Sequence, residues 1–429
     1  MLGLCSTAGR SPPLGPKSLN LVLVTETYSP EINGVAMTLG HLAYGLAGRG
    51  HHVTVIRPRQ RAEKGGPALH VDGSVTQHLL PGLPIPGYPL LRFGLPAGGR
   101  LRRLWRSSRP DLVHIATEGP LGWSALNAAR SLGLPVTSGF HTNFHHYTRD
   151  YRFEWLFALT AKWLRHFHNR TLRTFAPTRE LCAELAADGY RNLRVLSRGV
   201  DTGLFTAARR DSAQRLAWGA TATDPVVLHA GRLAREKNYA LIIRAFDAMR
   251  AANPRCRFVV VGDGPLRAEL AAKLPYARFT GFVDRATLAA HYASGDIYLH
   301  ASVTETYGNV AAEALASGLA FSGYDYAAAH ELVRPEENGL LVPLGDEPAF
   351  IAAAVRLATE PALVARLRGQ AAAAVQARSW ANVVTQFAAD LAEAASERGG
   401  GTISPANLVP RSNVPAGLVV PPPTPHSTP

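Results

Sequence analysis

The sequence predicts an α/β fold with two Rossmann-like domains, each built on a parallel sheet. Short continuous apolar runs alternate with amphipathic helical segments, as expected for buried parallel strands that are joined by crossover helices. This alternation occurs twice, once after Asn20 and again after Pro225. The chain has 429 residues, of which 46% are hydrophobic, so it can form two separate cores.

The first series of elements begins with an apolar run at residues 21–24, which predicts a buried strand. A helix is predicted from about Val35, because Leu39, Leu42 and Leu46 recur on one face. Further strands are predicted where short apolar runs are flanked by Gly or Pro, at residues 53–56, 112–115 and 135–137.

The second series predicts strands at residues 226–228, 258–261, 297–299 and 340–342, and a helix at 239–250. An amphipathic helix is predicted at residues 380–395. We expect a disordered extension at 1–19, a first domain at 20–198, a connection without a buried strand at 199–224 and a second domain at 225–378. The tail at 401–429 contains eight prolines in 29 residues and is also expected to be disordered.

Composition narrows the class of protein. The formal net charge is +13, and five lysines among 45 basic residues leave 40 arginines. This excess is explained by genome composition or by anionic small molecules or membranes, whereas scattered charge without a recognition motif disfavours nucleic acid. Three separated cysteines predict neither a disulfide framework nor a metal pair. We expect no transmembrane helix and no signal peptide. The cysteine pattern fits a reducing cytoplasm, so we expect a cytoplasmic protein.

The strongest local signal is a pair of carboxylates, Glu305 and Glu313, which bracket a loop and a helix start after a predicted strand. Gly308 permits close backbone approach, and the free amides of Asn309 and Val310 predict an anion site. Glu313 lies about 6 Å further along the helix axis. A carboxylate there can accept two hydrogen bonds from a ribose diol, and Glu305 can do the same for a sugar. A solvated surface pair is the alternative.

A second signal follows another predicted strand, where Gly231 and Arg232 precede Lys237. Ligands of open α/β sheets bind at the carboxyl ends of the strands. Two cations at this edge suit a diphosphate, since arginine offers a planar fork and lysine a point charge. A solvated turn remains the alternative.

His141 follows a predicted strand of the first domain and therefore lies at that domain's binding edge. It could bond a sugar hydroxyl or help to stabilise developing positive charge. His145 and His146 suggest a metal, but they cannot face one way on a helix and no partner completes a ligand set. No Asp-x-Asp sequence occurs, so no divalent ion is expected beneath a diphosphate. The turn at residues 31–34 lacks the G-x-G-x-x-G pattern, which disfavours NAD.

The order of these motifs resembles glycosyltransferase family 4. Its members are retaining enzymes of the GT-B fold and include phosphatidylinositol mannosyltransferases and sulfoquinovosyl-diacylglycerol synthases. The resemblance extends over residues 20–391. It is carried, in the family's order, by Asn33-Gly34-Val35, Phe140-His141-Thr142, Arg198-Gly199-Val200-Asp201, Gly231-Arg232 with Lys237, and the Glu305 and Glu313 pair.

The resemblance implies the GT-B fold, in which a C-terminal helix at 379–397 crosses back onto the first domain. It implies no cofactor, a nucleotide diphosphate sugar as donor, and catalytic roles for His141, Arg232, Lys237 and Glu305. The cations hold the phosphates, while His141 and Glu305 contact the sugar. The implied donor-binding residues are Gly34, Arg198, Gly231, Phe282, Val283, Tyr307, Gly308, Asn309, Val310 and Glu313. Many members of the family have Asn where this chain has Arg198.

The expected activity is retaining transfer of a hexose, either mannose or glucose, to a lipid or lipid-linked acceptor without a metal. No carboxylate can be placed as a nucleophile, and the family mechanism implies attack on the same face as the leaving diphosphate. Three alternatives stay open: a nonhydrolysing sugar-nucleotide epimerase, a transferase with a soluble saccharide acceptor, and a binding protein without turnover.

Acceptor selection is expected in the first domain. Residues 83–94 read as an exposed loop of Pro, Gly and large apolar groups. Residues 147–173 mix aromatic and basic side chains, which suits a helix on an anionic membrane surface at the inner face of the cytoplasmic membrane. A core-facing helix with a basic outer face is the alternative. The side chains concerned are Trp155, Phe157, Trp163, Phe167, Arg165, Arg170 and Arg173.

Overall fold

The computed structural model describes residues 18–31, 33–63, 65–85, 88–141, 154–305 and 307–397. Within these ranges the chain forms two α/β domains with parallel sheets, which confirms the predicted fold. The tail from 401 and the segment 142–153 lie outside the described residues. Of the predicted N-terminal extension, only Ser18 and Leu19 are described, and Leu19 is buried in the first domain.

The first sheet is parallel except for β3, and its order is β10-β9-β8-β7-β1-β2-β4-β3. The predicted exposed loop at 83–94 is instead mostly an antiparallel hairpin of β5 and β6. The strands, in chain order, are β1 (Asn20–Val24), β2 (His52–Pro58), β3 (Leu69–Asp72), β4 (Val75–Leu80), β5 (Gly82–Ile85), β6 (Tyr88–Gly94), β7 (Leu112–Ile115), β8 (Val136–Gly139), β9 (Arg173–Ala176) and β10 (Leu193–Val195).

The helices of the first domain cover both faces of this sheet. The first of them begins at Gly34 because the Asn33 side chain accepts hydrogen bonds from the amides of Val35 and Ala36, and its predicted apolar face is buried. The helices are α1 (Gly34–Ala47), α2 (Gly98–Ser108), α3 (Pro120–Ser131), α4 (Glu154–His168) and α5 (Arg179–Ala187).

The second sheet is parallel throughout, in the order β13-β12-β11-β14-β15-β16. Its strands are β11 (Val226–Ala230), β12 (Arg257–Val261), β13 (Arg278–Gly281), β14 (Ile297–His300), β15 (Ala320–Tyr324) and β16 (Gly339–Val342). Its helices are α6 (Ser212–Ala217), α7 (Tyr239–Ala252), α8 (Arg267–Lys273), α9 (Arg285–Ser294), α10 (Asn309–Ala316), α11 (Ala327–Leu332), α12 (Glu347–Thr359) and α13 (Pro361–Val375).

The segment predicted to connect the domains contains no β-strand, but it packs closely against the second domain. Phe205 and Trp218 are buried in the core of that domain. Arg215 of α6 forms an ion pair with Asp296 at 2.8 Å, and both side chains are buried. These contacts attach the connection to the second domain.

The last helix, α14 (Trp380–Ser396), packs on the first domain, as predicted for a crossover helix. The indole of Trp380 stacks on His41 with the ring centroids 4.3 Å apart. A Cβ atom at Gly45 would lie 2.5 Å from a methyl group of Val384, so the two helices approach closely because this residue is glycine. Phe387 is fully buried beneath the first sheet.

The basic segment predicted to face a membrane is only partly on the surface. Arg173 is 3% exposed and pairs with Glu393 of α14 at 2.8 Å and with Glu397, directly after that helix, at 2.7 Å, so it anchors the crossover helix. Phe167 is fully buried in the core. Both residues were therefore wrongly assigned to a membrane surface. The side chains of Trp155 and Phe157 lie outside the described part of the chain.

Within the described residues, no single helix combines the length and the apolar character needed to cross a bilayer. One consecutive pair, Glu347–Thr359 with Pro361–Arg378, meets these criteria jointly, but it bends by 100°.

Candidate active site

The loops at the carboxyl ends of β11 and β14 bring a cation and a carboxylate together. The ammonium of Lys237 donates a hydrogen bond to Glu305 Oε1, and both side chains are mostly buried. His300, at the end of β14, has its Nε2 atom 4.0 Å from the same oxygen. Burial opposes ionisation of Glu305, but Lys237 and His300 outweigh it and hold its pKa below the ordinary value. The site therefore holds a charged carboxylate next to a cation.

Arg198 lies between the two domains and faces this pair. Its guanidinium is buried and interacts electrostatically with Tyr307 and Glu305. The Tyr307 hydroxyl donates to the Arg198 carbonyl oxygen at 3.2 Å. A Cβ atom at Gly34 would lie 2.9 Å from Arg198 Nη1, so the start of α1 closely approaches this guanidinium. Residues from both domains thus converge around Arg198.

His141 lies just beyond the end of β8 and interacts electrostatically with Arg198. Neither ring nitrogen has a hydrogen-bond partner among the described residues, although both atoms are buried. Burial, reinforced by the charge of Arg198, lowers the pKa of His141 to about 3. The imidazole is therefore neutral at physiological pH, and it can offer one donor and one acceptor to a ligand.

Glu313 lies inside α10 and is not a solvated surface carboxylate. Burial raises its pKa to about 7, while Arg285 and the Tyr292 hydroxyl favour the ionised form. Arg285 also reaches the first domain, where its Nη1 atom lies 4.0 Å from the Met37 sulfur of α1. The position suits a carboxylate that accepts hydrogen bonds from a diol at the cleft.

The remaining predicted donor-binding residues surround these groups. Gly231 follows β11 with φ of 151°, and Gly308 precedes α10 with φ of 88°, a conformation that favours glycine. The Asn309 Oδ1 atom is buried without a hydrogen-bond partner in the described structure, and Val310 packs against the second core. The free amides of α10 open toward this region.

Two predicted residues are largely exposed. The exposed side chain of Arg232 makes no hydrogen bond or ion pair with any described residue, so its guanidinium is available to a ligand. The Phe282 side chain is 72% exposed, whereas Val283 packs against the core. Phe282 and Val283 follow β13, on the loop that leads to Arg285.

Sequence reasoning missed His300 and Arg285. His300 ends the strand that precedes Glu305, and its position could have been read from that strand end. Arg285 could not be distinguished from other arginines by sequence, because arginine is abundant throughout this chain. In the described ranges no group of three or more His, Cys, Asp and Glu side chains is arranged to hold a metal ion. The metal-free site stays a prediction.

Two facing Rossmann-like domains, a returning C-terminal helix and a charged cleft between them define a glycosyltransferase of the GT-B fold. Solved structures support this fold. Sucrose-phosphate synthase from Thermosynechococcus elongatus aligns with a TM-score of 0.69 at 18% identity, covering 86% of this chain and 98% of that one. HepE from Anabaena, in complex with UDP and glucose, aligns with a TM-score of 0.65 at 18% identity, covering 87% and 99%.

The chain belongs to glycosyltransferase family 4. The model described as "Glycosyltransferase Family 4" matches residues 32–204, and "Glycosyl transferases group 1" matches 224–360. A "GDP-mannose-dependent alpha-mannosyltransferase" of Mycobacterium tuberculosis is 34% identical over 76% of this chain and 85% of the relative. An "Alpha-monoglucosyldiacylglycerol synthase" of Acholeplasma laidlawii is 30% identical over 70% and 79%. The protein is therefore a nucleotide-sugar-dependent hexosyltransferase.

Proposed function

We propose that the protein transfers an α-mannosyl group from GDP-mannose to a lipid-linked acceptor, with retention of configuration and without a metal ion. The observation that carries the proposal is the convergence of Lys237, Glu305 and Arg198 at the mouth of the second sheet, opposite Gly34. A cleft with this charge suits a sugar attached to a diphosphate.

The donor assignment draws on the relatives as well as on the site. The mycobacterial relative is named for GDP-mannose, and it is similar over most of its length. In this chain, the buried carboxylate of Glu313 would accept hydrogen bonds from the ribose hydroxyls. The loop at Phe282 and Val283 would lie against the guanine base.

The proposed chemistry is a substitution at the anomeric carbon. The acceptor oxygen bonds to the sugar C1 atom while the bond from C1 to the donor phosphate oxygen breaks. The acceptor proton passes to the leaving diphosphate on the same face. Arg232 and Lys237 stabilise the charge that develops on the diphosphate, and fixed charges of this kind contribute most where they need not reorganise.

The acceptor is proposed to bind in the first domain at a membrane surface. Helices α2 and α4 together carry exposed basic and aromatic side chains, a set that we term the basic face. None of its cations forms an ion pair within the described residues, although Arg165 donates to the Asp188 carbonyl oxygen at 2.7 Å. Their charges can therefore attract anionic headgroups. The basic face consists of Arg100, Arg103, Arg106, Lys162, Trp163 and Arg165.

Purified protein with GDP-mannose, UDP-glucose or ADP-glucose provides the test. Each donor is supplied with vesicles that contain diacylglycerol or phosphatidylinositol, or with soluble methyl α-mannoside. We expect α-mannosylated lipid from GDP-mannose alone, in the presence of EDTA. Turnover restricted to the soluble acceptor would replace the lipid assignment, a β-linked product would exclude retention, and loss on chelation would exclude the metal-free site. A donor changed to its epimer without any acceptor would identify an epimerase.

A further inference from the structure

A chain of buried hydrogen bonds runs beneath the end of β8, outside the set of residues described above. The His168 Nε2 atom lies 3.0 Å from Glu118 Oε1, and His168 Nδ1 lies 2.9 Å from Ser138 Oγ. His168 and Ser138 are fully buried, and Glu118 is 7% exposed. We term these three residues the Glu118 relay.

The chemistry of the groups orients each hydrogen bond in the relay. A carboxylate only accepts, so His168 Nε2 donates to Glu118. In the tautomer that carries its proton on Nε2, the Nδ1 atom accepts, and the Ser138 hydroxyl donates to it. Ser138 Oγ lies 3.1 Å from Thr174 Oγ1, which can donate in turn. The relay therefore connects β9, β8 and the end of α4 to the loop that follows β7.

The Glu118 end of the relay is held in place by a second carboxylate. Glu26 accepts a hydrogen bond from the Leu121 amide at 3.0 Å, and its own amide donates to Thr117 Oγ1 at 2.8 Å. A Cβ atom at Gly119 would lie 2.3 Å from Glu26 Oε1, so the loop wraps closely around this carboxylate. Glu118 therefore lies on a loop that contacts Glu26 on both sides of it.

The other end of the relay lies next to the candidate active site. Ser138 is followed by Gly139, where a Cβ atom would lie 2.6 Å from His141 Nε2. The His141 ring thus folds back over the backbone that Ser138 holds. A displacement of the end of β8 would move this ring directly.

A buried polar chain is costly compared with apolar packing, but when every member is satisfied it specifies one arrangement of the surrounding backbone. We propose that Glu118 is a positioning residue for glycosyl transfer, which acts through His168 and Ser138 to fix the place of the His141 ring in the cleft. The inference rests on the proposed role of His141 toward the transferred sugar.

Four variants test the proposal through the rate of donor turnover. Ser138→Ala and Glu118→Leu break the relay, and we expect kcat to fall about tenfold or more in each. The donor KM should stay within about twofold, because the second domain holds the nucleotide. Glu118→Gln should keep kcat within about threefold of wild type, since its amide oxygen accepts the same hydrogen bond. Ser322→Ala is the matched control, because Ser322 is another fully buried serine whose hydroxyl has no partner in the described structure.

Histidine-labelled protein gives a readout that needs no substrate. The nitrogen resonances of His141 should shift in Ser138→Ala and Glu118→Leu but not in Ser322→Ala. Unchanged His141 resonances with only a lower melting temperature would overturn the proposal in favour of a structural role. A loss of kcat in Glu118→Gln as large as in Glu118→Leu would overturn it in favour of a charge that acts on substrate. If GDP-mannose is not the donor, turnover is absent from the wild type too. The His141 resonances then still test whether the relay positions the His141 ring.

Discussion

The ammonium of Lys237 and the carboxylate of Glu305 form an ion pair that joins the loops after β11 and β14. Both groups were predicted to contact the donor, one through its phosphates and the other through its sugar. Their direct contact means that each sets the electrostatic environment of the other. The pair therefore links two side chains that we propose contact the donor, and it contributes to the electrostatics of the second domain.

Replacement of Lys237 by Met should lower turnover by about 100-fold or more, because the variant loses a charge that stabilises the leaving diphosphate. It should also raise the pKa of Glu305, whose burial is then unopposed by the lysine. A carboxylate with a depressed pKa contributes stability above its ordinary pKa of 4.5, and this contribution disappears as the pH falls. Denaturant unfolding should show the largest difference from wild type at neutral pH and a small one in acid. An equal difference at all pH values would contradict the ion pair.

Replacement of Arg232 by Ala should lower turnover by a similar factor of about 100, with little change in melting temperature, because this side chain is exposed and unpartnered in the described structure. The double variant with Lys237→Met should lose less than the product of the two single effects, since both cations act on one diphosphate. Rates from single-turnover assays provide the comparison. Full multiplicativity would show that the two cations act independently.

Gly34→Ala tests the close approach between the domains. The added methyl group would lie 2.9 Å from Arg198 Nη1 and displace the guanidinium, so turnover should fall about tenfold. Gly40→Ala is the matched control, because it lies in the same helix with no atom within 4 Å of the added Cβ. Alanine in a helix is favoured over glycine by about 0.5–1 kcal/mol, so the control should be fully active and slightly more stable. Equal activity of the two variants would separate Arg198 from the reaction.

Donor binding should strengthen as the pH rises through about 7, the pKa to which burial raises Glu313. The ionised carboxylate is the form that accepts hydrogen bonds from both ribose hydroxyls, so affinity should weaken about tenfold for each pH unit below this value. Calorimetric titration with GDP-mannose measures the donor affinity at each pH. In Glu313→Gln the affinity should be lower and independent of this ionisation. A flat wild-type profile would remove Glu313 from the site.

The raised pKa of Glu313 also predicts how the stability of the protein depends on pH. A carboxyl with a raised pKa in the folded state contributes stability at low pH, and the contribution is lost as the pH rises through the folded pKa of about 7. Glu313→Gln should therefore be more stable than wild type above pH 7 and not in acid. Arg285→Gln should raise the pH at which this contribution to stability is lost, because Arg285 lowers the pKa of Glu313. Arg285→Lys should leave that pH unchanged. Melting curves recorded across this range give the answer.

Membrane association should depend on the basic face and not on Arg173. Each basic residue at an anionic surface contributes about 1 kcal/mol, so replacing Arg100, Arg103 and Arg106 by Gln should reduce binding about 100-fold. Flotation with phosphatidylglycerol vesicles measures this, and high salt should have the same effect. A control triple variant with the same change in net charge, at three exposed arginines elsewhere, should still float. These are Arg191, Arg209 and Arg278.

Failure of the wild type to float at low salt would contradict the membrane proposal and would favour a soluble acceptor. Equal loss in both triple variants would mean that net charge, and not the basic face, holds the protein at the surface.

Much of the fold could be predicted because the sequence patterns that indicate its strands and helices are local. The runs at β1, β11 and β12 are continuous and apolar, and α1 and α14 show clear helical periodicity. β15 was missed because its sequence, Ala-Phe-Ser-Gly-Tyr, has small residues that fill a crowded sheet but give little strand signal. β9 was missed because it begins with Arg173, whose burial is compensated only by carboxylates more than 200 residues away.

The sequence by itself determined the two sheets and the family, and it predicted several residues at the cleft, because strand ends and glycine turns place side chains at a known edge. Only the tertiary structure decided how those residues act on one another. The pairing of Lys237 with Glu305, the approach of Gly34 to Arg198 and the Glu118 relay all join segments that are distant in the chain. Their effects on ionisation arise from burial and from opposite charges brought within a few ångströms, and neither exists until the chain has folded.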